Sequence, residues 1–335
     1  MIETISRERL VALLEAAAGK RIAVIGDAML DVYLRGDVDR ISPEAPVPVV
    51  RVTERKLALG GAANVAQNIT AIGAKCDIVC AIGEDAAGVL VRQMLHDVGA
   101  RTRTIVRVSR QTTTKTRVLA RSQQLVRYDE EDDADVSGVE MQNLLSAAIT
   151  AVDDADAVVL EDYNKGLLTP AFIGPVISHA KSRQLPVVVD PKYRNFFSYR
   201  GATIFKPNRR ELESALGAEV DLDHPEALPA TFQRLGVEHL LLTLGEKGMA
   251  LLSADGEIGR IPTTAREVYD VVGAGDTVTG YLATMLAAGG TPQEAAVIAN
   301  FAAGVEIGKL GAATVTTDEV IGAFDDFSET ASPGR

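Results

Sequence analysis

Short apolar runs recur along this chain and alternate with stretches that have helical spacing. The runs cover four to six residues each and predict strands at residues 21–25, 77–82, 157–160, 186–190, 202–205 and 239–243. Strands that alternate with helices are typical of βαβ units, in which the strands run parallel. A chain of 335 residues has enough material for a large core. We therefore predict an α/β fold with a doubly wound, mostly parallel sheet flanked by helices.

The helices are predicted from helical spacing and from capping residues. Ser6 is typical of a helix N-cap, and it precedes a run of apolar and charged residues. Predicted helices cover residues 6–18, a segment ending near residue 72, residues 85–98, a segment from about residue 170, and residues 276–288 and 292–307. We expect the last two helices to close the fold.

Two segments depart from this alternation. Residues 31–53 and 101–130 contain short β-like pieces, and three prolines within residues 43–48 favour an edge element over a central strand. We predict that the two segments assemble into a small β-sheet lid on a single domain of residues 1–335. Residues 328–335 are expected to form a disordered tail.

The charge of the chain is unevenly distributed. A net charge of −12 argues against general nucleic-acid binding, because phosphate backbones are held by lysine and arginine. Residues 101–128 nevertheless carry eight basic and no acidic side chains. Alternation along a strand places Lys115, Arg117 and Arg121 on one face, which predicts a positive stripe on the lid. The acidic run at residues 129–135 is expected to be a solvated loop.

Cysteine usage and apolar run length narrow the cellular setting. Cys76 and Cys80 fall on one face of a predicted strand, which favours buried thiols over a disulfide or a metal site. Four scattered histidines supply no ligand cluster. The sequence contains neither an apolar run of membrane-spanning length nor a signal-peptide pattern, so we expect a cytoplasmic protein without membrane or nucleic-acid partners.

A glycine-rich segment at residues 271–280 precedes a predicted helix. Gly273 and Gly275 allow backbone N–H groups to converge on an anion, and a helix start adds its positive dipole end. Asp276 follows directly, which favours phosphoryl transfer with a base in place. An ordinary helix N-cap at Asp276 is the alternative. A Walker-type loop and a dinucleotide fingerprint fit poorly, because neither the lysine of the first nor the ribose-binding acid of the second is present.

Several segments together resemble a known family. Residues 60–66 and 270–277 resemble the two signatures of the ribokinase-like (pfkB) carbohydrate kinases. Residues 206–211 resemble the family's Asn-x-x-Glu element, and residues 243–245 resemble its nucleotide-site strand end. Their order and spacing fit across nearly the whole chain. The resemblance implies a ribokinase-like fold and an ATP-dependent, Mg²⁺-requiring sugar kinase.

Four further segments are similar to one branch of this family. Residues 40–49, 114–119, 123–127 and 267–270 resemble the heptose 7-phosphate kinases of bacterial lipopolysaccharide-core biosynthesis. This resemblance implies phosphorylation of the anomeric hydroxyl of D-glycero-D-manno-heptose 7-phosphate to the 1,7-bisphosphate. Such kinases are fused to a nucleotidyltransferase domain in some bacteria, and we expect a kinase alone here, because the chain ends where that domain would begin.

Other functions stay open at this point. The first alternative is another kinase of the family, acting on a sugar, a sugar phosphate or a nucleoside. A silent sugar-phosphate-binding protein and a nicotinamide dehydrogenase are alternatives from other classes.

The resemblance also implies roles for individual residues around the sugar. Asp276 is implied as the catalytic base, and the N–H groups of Gly273, Ala274 and Gly275 as the anion hole. For Asp31 and Asn64 a turn residue and a helix cap are the alternatives, and the basic residues alternatively block edge pairing of the lid. The predicted substrate-binding residues are Asp27, Asp31, Gly60, Gly61, Asn64, Asp162 and Lys165, with Lys115, Arg117, Arg127 and Lys192 for the 7-phosphate.

The nucleotide side is implied in the same way. Glu211 is expected to act on Mg²⁺ through water, and Asp270 lies where many family members bind a monovalent cation, which raises K⁺ as an option. An N-cap is the alternative for Asn208. The lid is expected to pair two subunits into a homodimer. The predicted ATP-binding residues are Asn208, Arg209, Arg210, Glu211, Thr243, Gly245, Gly248 and Asn300.

Overall fold

The computed structural model describes residues 5–121, 123–224, 228–265, 268–309 and 311–331. The strands are β1 (Arg21–Gly26), β2 (Ala28–Ile41), β3 (Pro48–Gly61), β4 (Lys75–Val79), β5 (Ala81–Gly83), β6 (Val106–Val108), β7 (Thr114–Ala120), β8 (Gln123–Glu130), β9 (Ala157–Glu161), β10 (Val187–Asp190), β11 (Ile204–Phe205), β12 (His239–Thr243), β13 (Met249–Ser253) and β14 (Ile258–Ile261). The helices are α1 (Arg7–Ala17), α2 (Ala62–Ala71), α3 (Ala86–Asp97), α4 (Gly138–Asp153), α5 (Pro170–Ser182), α6 (Arg209–Leu216), α7 (Leu228–Leu235), α8 (Ala274–Ala287), α9 (Pro292–Glu306) and α10 (Thr317–Ala331).

A sheet of eight strands forms the centre of the molecule. Its order is β14-β13-β12-β11-β10-β9-β1-β4. The six neighbouring strands β4, β1, β9, β10, β11 and β12 pair in parallel. Strands β13 and β14 add an antiparallel edge. The predicted mostly parallel α/β sheet is confirmed.

Helices cover both faces of this sheet. Alternate residues of β1 pack into two different hydrophobic clusters, Ile22 and Val24 into one and Ala23 and Ile25 into the other. The first cluster includes buried residues of α1, α2, α3, α8, α9 and α10, and the second includes those of α4, α5, α6 and α7. The alternation explains why the strands are continuous apolar runs, since every residue is buried on one face or the other.

A second, smaller sheet lies beside the first, in the order β3-β2-β7-β8. It corresponds to the predicted lid, but its boundaries differ from residues 31–53 and 101–130. The hairpin of β2 and β3 is longer than predicted, because β2 follows β1 after a single residue. Residues 106–108 form β6, which pairs with β5 in a separate two-stranded sheet. Pro48 begins the edge strand β3, as a proline in a sheet requires.

The carboxyl-terminal helix α10 was not predicted. It follows the two helices that we expected to close the fold, and residues 328–331 of the predicted disordered tail belong to it. Residues 332–335 lie outside the described residues. The helix is held by packing of Phe324 and Phe327 on Phe301 of α9, so its aromatic residues have a tertiary partner that the local pattern does not reveal. Helix α4 and strands β13 and β14 were not predicted either.

Two further predictions can be compared with the structure. Cys76 and Cys80 are free, fully buried thiols, as predicted. Arg121 does not continue the face of Lys115 and Arg117, since it lies beyond β7 with a φ of 55°. In the described part of the chain, no helix combines the length and the apolar character that a bilayer span requires.

Candidate active site

Acidic residues meet where the central parallel strands end. Asp27 follows β1, Glu161 ends β9 and Asp190 ends β10. Asp276 approaches them from the first turn of α8. Ligands of open α/β sheets bind at this carboxyl edge, so the topology assembles a site from segments far apart in the sequence.

Two glycines at the end of β3 bring α2 to this edge. Gly61 has a φ of 58°, and a Cβ atom there would lie 2.4 Å from the carbonyl oxygen of Asp27. A Cβ atom on Gly60 would lie 2.7 Å from a carboxylate oxygen of Asp31. Only glycine therefore allows the chain to pass this closely, and the approach places Asn64, in the first turn of α2, beside α8.

Asp276 is buried and held by two donors. The Asn64 side-chain amide donates to Oδ2 at 2.7 Å, and the Tyr163 hydroxyl donates to Oδ1 at 2.8 Å. Burial raises the pKa of Asp276 to about 6, although both hydrogen bonds act in the opposite direction. The carboxylate is thus ionised at neutral pH and able to accept a proton.

The N-cap of α8 is Gly273, with a φ of 97°, and not Asp276. The alternative of an N-cap at Asp276 is therefore wrong. The first N–H groups of a helix have no acceptor within it, and at α8 these belong to Ala274, Gly275 and Asp276. A Cβ atom on Gly275 would lie 3.6 Å from Lys206 Nζ. That ammonium is paired with Asp190, and the Ala274 N–H donates to the Val271 carbonyl oxygen at 3.5 Å. The N–H groups of Gly275 and Asp276 are therefore the ones that this helix start offers to an anion.

A buried carboxylate cluster surrounds Asp276, and most of it was not predicted from the sequence. One oxygen each of Glu161, Asp190 and Asp276 lies within 4.8 Å of the others. Lys206 Nζ donates to Asp190 Oδ2 at 2.7 Å. Neither oxygen of Glu161 has a hydrogen-bond partner among the described residues. Burial, and then the charges of Asp190 and Asp276, raise the pKa of Glu161 well above its ordinary value. Glu161 and Asp190 end their strands, and Lys206 directly follows β11. A polar residue at the end of an apolar run is the sequence pattern that could have indicated them.

The donor set at this edge fits Mg²⁺. Hard cations prefer carboxylate oxygens, and the orphaned oxygens of Glu161 are of this type. Glu211, the predicted Mg²⁺ residue, accepts from Lys192 Nζ and from the Asn208 backbone N–H, each at 2.8 Å. Its role through water stays a prediction.

Asp27 has one carboxylate oxygen without a hydrogen-bond partner among the described residues. Its Oδ2 accepts from the backbone N–H groups of Tyr163 and Lys165 at 2.8 and 2.9 Å, whereas Oδ1 has no partner in the part of the chain that is described. Burial, and then the charge of Asp162, raise the pKa of Asp27 to about 6. Oδ1 is therefore a buried acceptor without a donor among the described residues.

Asp162 differs from Asp27, although both were predicted to contact the sugar. Its Oδ2 accepts from the Tyr199 hydroxyl and its Oδ1 from the Asn164 N–H, each at 2.7 Å. Each oxygen of Asp162 thus has a donor within the protein, whereas Oδ1 of Asp27 has none among the described residues.

The predicted positive stripe is not free. Lys115 Nζ lies 2.8 Å from Asp129 and 3.2 Å from Glu131, and Arg117 pairs with Asp31. The acidic run at residues 129–135 was expected to be a solvated loop, but its first two residues belong to β8. The antiparallel register of β7 and β8 sets Asp129 opposite Lys115. The other predicted cations are paired as well: Lys165 with Glu131 at 2.8 Å, Arg127 with Asp129 at 3.1 Å and Lys192 with Glu211 at 2.8 Å.

A groove of about 580 Å³ adjoins the start of α8. Asn208 is both a groove residue and the N-cap of α6, in a capping box with Glu211. The N-cap alternative for Asn208 is therefore confirmed. The predicted ATP-binding residues that line this groove are Asn208, Thr243, Gly245, Gly248 and Asn300, together with Ala274 and Gly275 of the anion hole.

Arg209 and Arg210 do not line that groove itself but an adjoining pocket that shares Asn208, Thr243 and Gly245 with it. This pocket has a volume of about 640 Å³, and Arg209 pairs with Glu213 at 2.8 Å. Asp270 Oδ1 accepts from the Val272 N–H at 3.0 Å, so the predicted cation ligand orders the turn that leads to Gly273.

Comparison with known proteins agrees with this architecture. The sequence profile of the pfkB family carbohydrate kinases matches residues 20–319. The Bifunctional protein HldE of Rhodospirillum rubrum is 42% identical over 318 residues, covering 94% of this chain and 64% of that protein. HldE of Azorhizobium caulinodans is 45% identical over 318 residues, covering 93% and 66%. The chain thus spans only about two thirds of the length of these relatives.

Solved structures share the fold at low sequence identity. Arabidopsis thaliana ribokinase complexed with ribose and ATP has a TM-score of 0.72 at 21% identity, with 91% of this chain and 98% of that chain covered. Escherichia coli phosphofructokinase-2 in complex with potassium has a TM-score of 0.74 at 18% identity, with 93% and 99% covered. The family match over most of the sequence, together with relatives above 40% identity, shows that this chain belongs to the pfkB family of carbohydrate kinases.

Proposed function

We propose that this kinase transfers the γ-phosphoryl group of ATP to the anomeric hydroxyl of D-glycero-D-manno-heptose 7-phosphate and yields the 1,7-bisphosphate. The observation that carries the reaction type is Asp276, buried, doubly hydrogen-bonded and set at a helix start. The sugar is proposed from the resemblance of residues 40–49 and 114–119 to heptose 7-phosphate kinases. Relatives named HldE, at 42–45% identity, support it.

Asp276 is the proposed general base. It takes the proton of the anomeric hydroxyl while that oxygen forms a bond to the γ-phosphorus. The bond from this phosphorus to the β,γ-bridging oxygen breaks, and ADP leaves. A positioned base contributes about 10²–10⁴-fold in rate. The N–H groups of Gly273, Ala274 and Gly275 are proposed to stabilise the phosphoryl oxygens.

The cofactor is proposed to be Mg²⁺, which neutralises phosphate charge when bound. Glu161, Asp190 and, through water, Glu211 are the residues proposed to hold it. Thr243, Gly245 and Asn300 are proposed to line the ATP groove. The proposals that Arg209 and Arg210 contact ATP and that Asp270 binds K⁺ rest on the family resemblance.

The sugar is proposed to lie between Asp27, Asp31 and Asn64, over Gly60 and Gly61. The free Oδ1 of Asp27 supports this position. Asp162 stays a proposed sugar contact, although both of its oxygens already accept hydrogen bonds within the protein.

The 7-phosphate is proposed to exchange with carboxylates on the small sheet. Lys115 and Lys165 share Glu131, so a phosphate dianion can replace that carboxylate between them. Arg117, Arg127 and Lys192 remain the other proposed contacts. Lys115 and Lys165 would then have an anionic partner in both states, Glu131 without substrate and the phosphate with it.

We also propose a cytoplasmic homodimer formed through the small sheet. Large apolar side chains of that sheet and its hairpin turn are exposed, Ile41 by 62%, Val47 by 51% and Val126 by 50%. Pairing of two sheets would cover them.

The test is ADP release with a panel of acceptors. Heptose 7-phosphate, unphosphorylated heptose, ribose and fructose 6-phosphate are compared at equal concentration, with ATP and Mg²⁺. We expect the highest kcat/KM with heptose 7-phosphate. Equal rates with unphosphorylated heptose would overturn the proposed substrate, and activity with none of the four would overturn the proposed function.

A further inference from the structure

We infer that Tyr163 is a positioning residue that fixes the carboxylate of Asp276 and ties it to the sugar-binding carboxylate Asp27. The inference rests on the proposed function, in which Asp276 is the base. Tyr163 belongs to the loop after β9, two residues beyond Glu161. It was not among the residues predicted from the sequence.

Three separate contacts fix the position of this tyrosine. Its backbone N–H donates to Asp27 Oδ2 at 2.8 Å, and its hydroxyl donates to Asp276 Oδ1 at 2.8 Å. Lys192 Nζ lies 5.2 Å from the ring centroid, within the range of a cation–π contact. Tyr163 therefore links the sugar side and the base side through one residue.

The glycine at position 61 is part of this arrangement. A Cβ atom on Gly61 would lie 3.4 Å from Tyr163 Cδ2, in addition to its clash with the Asp27 carbonyl oxygen. The glycine is thus required by the close approach to Asp27, while a Cβ atom would meet the Tyr163 ring only at an ordinary contact distance. The two donors to Asp276 approach its two oxygens from different elements, Asn64 from α2 and Tyr163 from the β9 loop.

The hydroxyl of Tyr163 stays a donor throughout the neutral pH range. A tyrosine hydroxyl carries its proton at neutral pH, and this one lies 2.8 Å from a carboxylate oxygen that can only accept. With both donors in place the carboxylate cannot rotate about its Cβ–Cγ bond without breaking a hydrogen bond. Each oxygen still keeps a lone pair for the substrate hydroxyl, and a fixed base favours the geometry of attack.

The test is a double-mutant cycle between Tyr163→Phe and Asp276→Asn. Phenylalanine keeps the ring and removes only the hydroxyl. We expect Tyr163→Phe to lower kcat by about 10-fold, the value of one hydrogen bond to a charged group. The KM values for ATP and for the sugar that the wild type phosphorylates should stay within about 2-fold, because the base is not the main binding contact. In the Asp276→Asn background the same substitution should have no further effect on residual kcat, since the carboxylate it positions is gone.

Tyr281→Phe is the matched control. Tyr281 also donates a buried hydroxyl, to the Val315 carbonyl oxygen at 2.9 Å. It should lower thermal stability without the kcat effect that depends on Asp276. Thermal unfolding of all variants separates loss of fold from loss of rate.

The outcomes separate this inference from the proposed function. If Asp276→Asn abolishes turnover but Tyr163→Phe keeps wild-type kcat, the positioning role is wrong and the base stands. The positioning role is also wrong if Tyr163→Phe lowers kcat equally in both backgrounds, or if it raises KM alone. If Asp276→Asn itself turns over at the wild-type rate, the proposed function is wrong and takes this inference with it.

Discussion

The small sheet and the strand ends of the large sheet both concentrate charge, but they compensate it in opposite ways. On the small sheet, Lys115 and Arg117 each have a carboxylate partner at hydrogen-bond distance. The pair of Lys115 with Asp129 is partly exposed, whereas Arg117 pairs with the buried Asp31. At the strand ends, Glu161, Asp190 and Asp276 converge in the protein interior, and the buried ion pair there is Lys206 with Asp190.

The difference is the reason for proposing the strand ends as the reactive region. A compensated cation near the surface contributes little to stability. A buried carboxylate without a matching partner costs free energy that a fold retains where chemistry needs it. The distribution of charged residues in the sequence indicated the small sheet as a binding region. The pairing of these charges in the structure indicates the strand ends of the large sheet, where carboxylates outnumber their cationic partners.

Substitution of the base should separate the two regions most strongly. We expect Asp276→Asn to lower kcat by about 10²–10⁴-fold, since an amide cannot accept the proton. Affinity for ATP, measured by calorimetry, should stay near the wild-type value. Asp325→Asn, which removes a carboxylate paired with Arg7 on the surface, serves as the control and should leave kcat unchanged. Wild-type turnover by Asp276→Asn would contradict the base assignment.

Loss of the buried cation should cost more stability than loss of a surface cation. Lys206→Met leaves Asp190 buried without its ammonium partner, so we expect the free energy of unfolding to fall by about 3–5 kcal/mol. Urea denaturation measures it. A loss below about 1 kcal/mol would show that this ion pair is not structurally required.

The pH dependence of turnover should report the strand-end carboxylates. Asp276 must be ionised to act as a base, and its pKa is raised to about 6. Activity is therefore present above pH 6 and lost as the pH falls through that value, by about 10-fold per pH unit. Measurement of kcat/KM between pH 4.5 and 8 checks this expectation. A profile that stays flat down to pH 4.5 would mean that the base keeps an ordinary carboxyl pKa.

The smallest effect is expected on the small sheet. Lys115→Met removes the same side-chain type as Lys206→Met, but from a site with partial exposure. We expect a loss of about 1 kcal/mol in the free energy of unfolding, again from urea denaturation. Equal losses in the two variants would remove the contrast between the two regions.

The strands of the large sheet could be predicted only in part from the sequence. The apolar runs of β1, β9, β10 and β12 are long enough to predict strands, and the parallel arrangement follows from the helices between them. The edge strands β13 and β14 were missed because no α-helix separates them from β12 or from each other, so the strand–helix alternation that predicted the other strands is absent here. Helix α10 was missed because its stability comes from contacts with α9 and α1.

The site was predictable where local backbone geometry dictates the residue. The glycines at 61 and 273 both have positive φ angles at turns that lead into helices, and a glycine pair before a helix is visible in a sequence. The partners of Asp276 were not visible. Tyr163 and Glu161 reach it because β9 lies beside β1 and β10, and sheet order is a tertiary property. The pairing of Lys115 with Asp129 likewise depends on the register of β7 and β8.

Phosphorus NMR of the reaction products is the decisive test of the proposed reaction and its base. Wild-type protein and Asp276→Asn are each incubated with heptose 7-phosphate, ATP and Mg²⁺. We predict that the wild type consumes ATP and produces a second sugar-phosphate resonance coupled to the anomeric proton, while Asp276→Asn produces almost none in the same time. A wild-type product phosphorylated at another position, or equal product formation by the variant, would contradict the proposal.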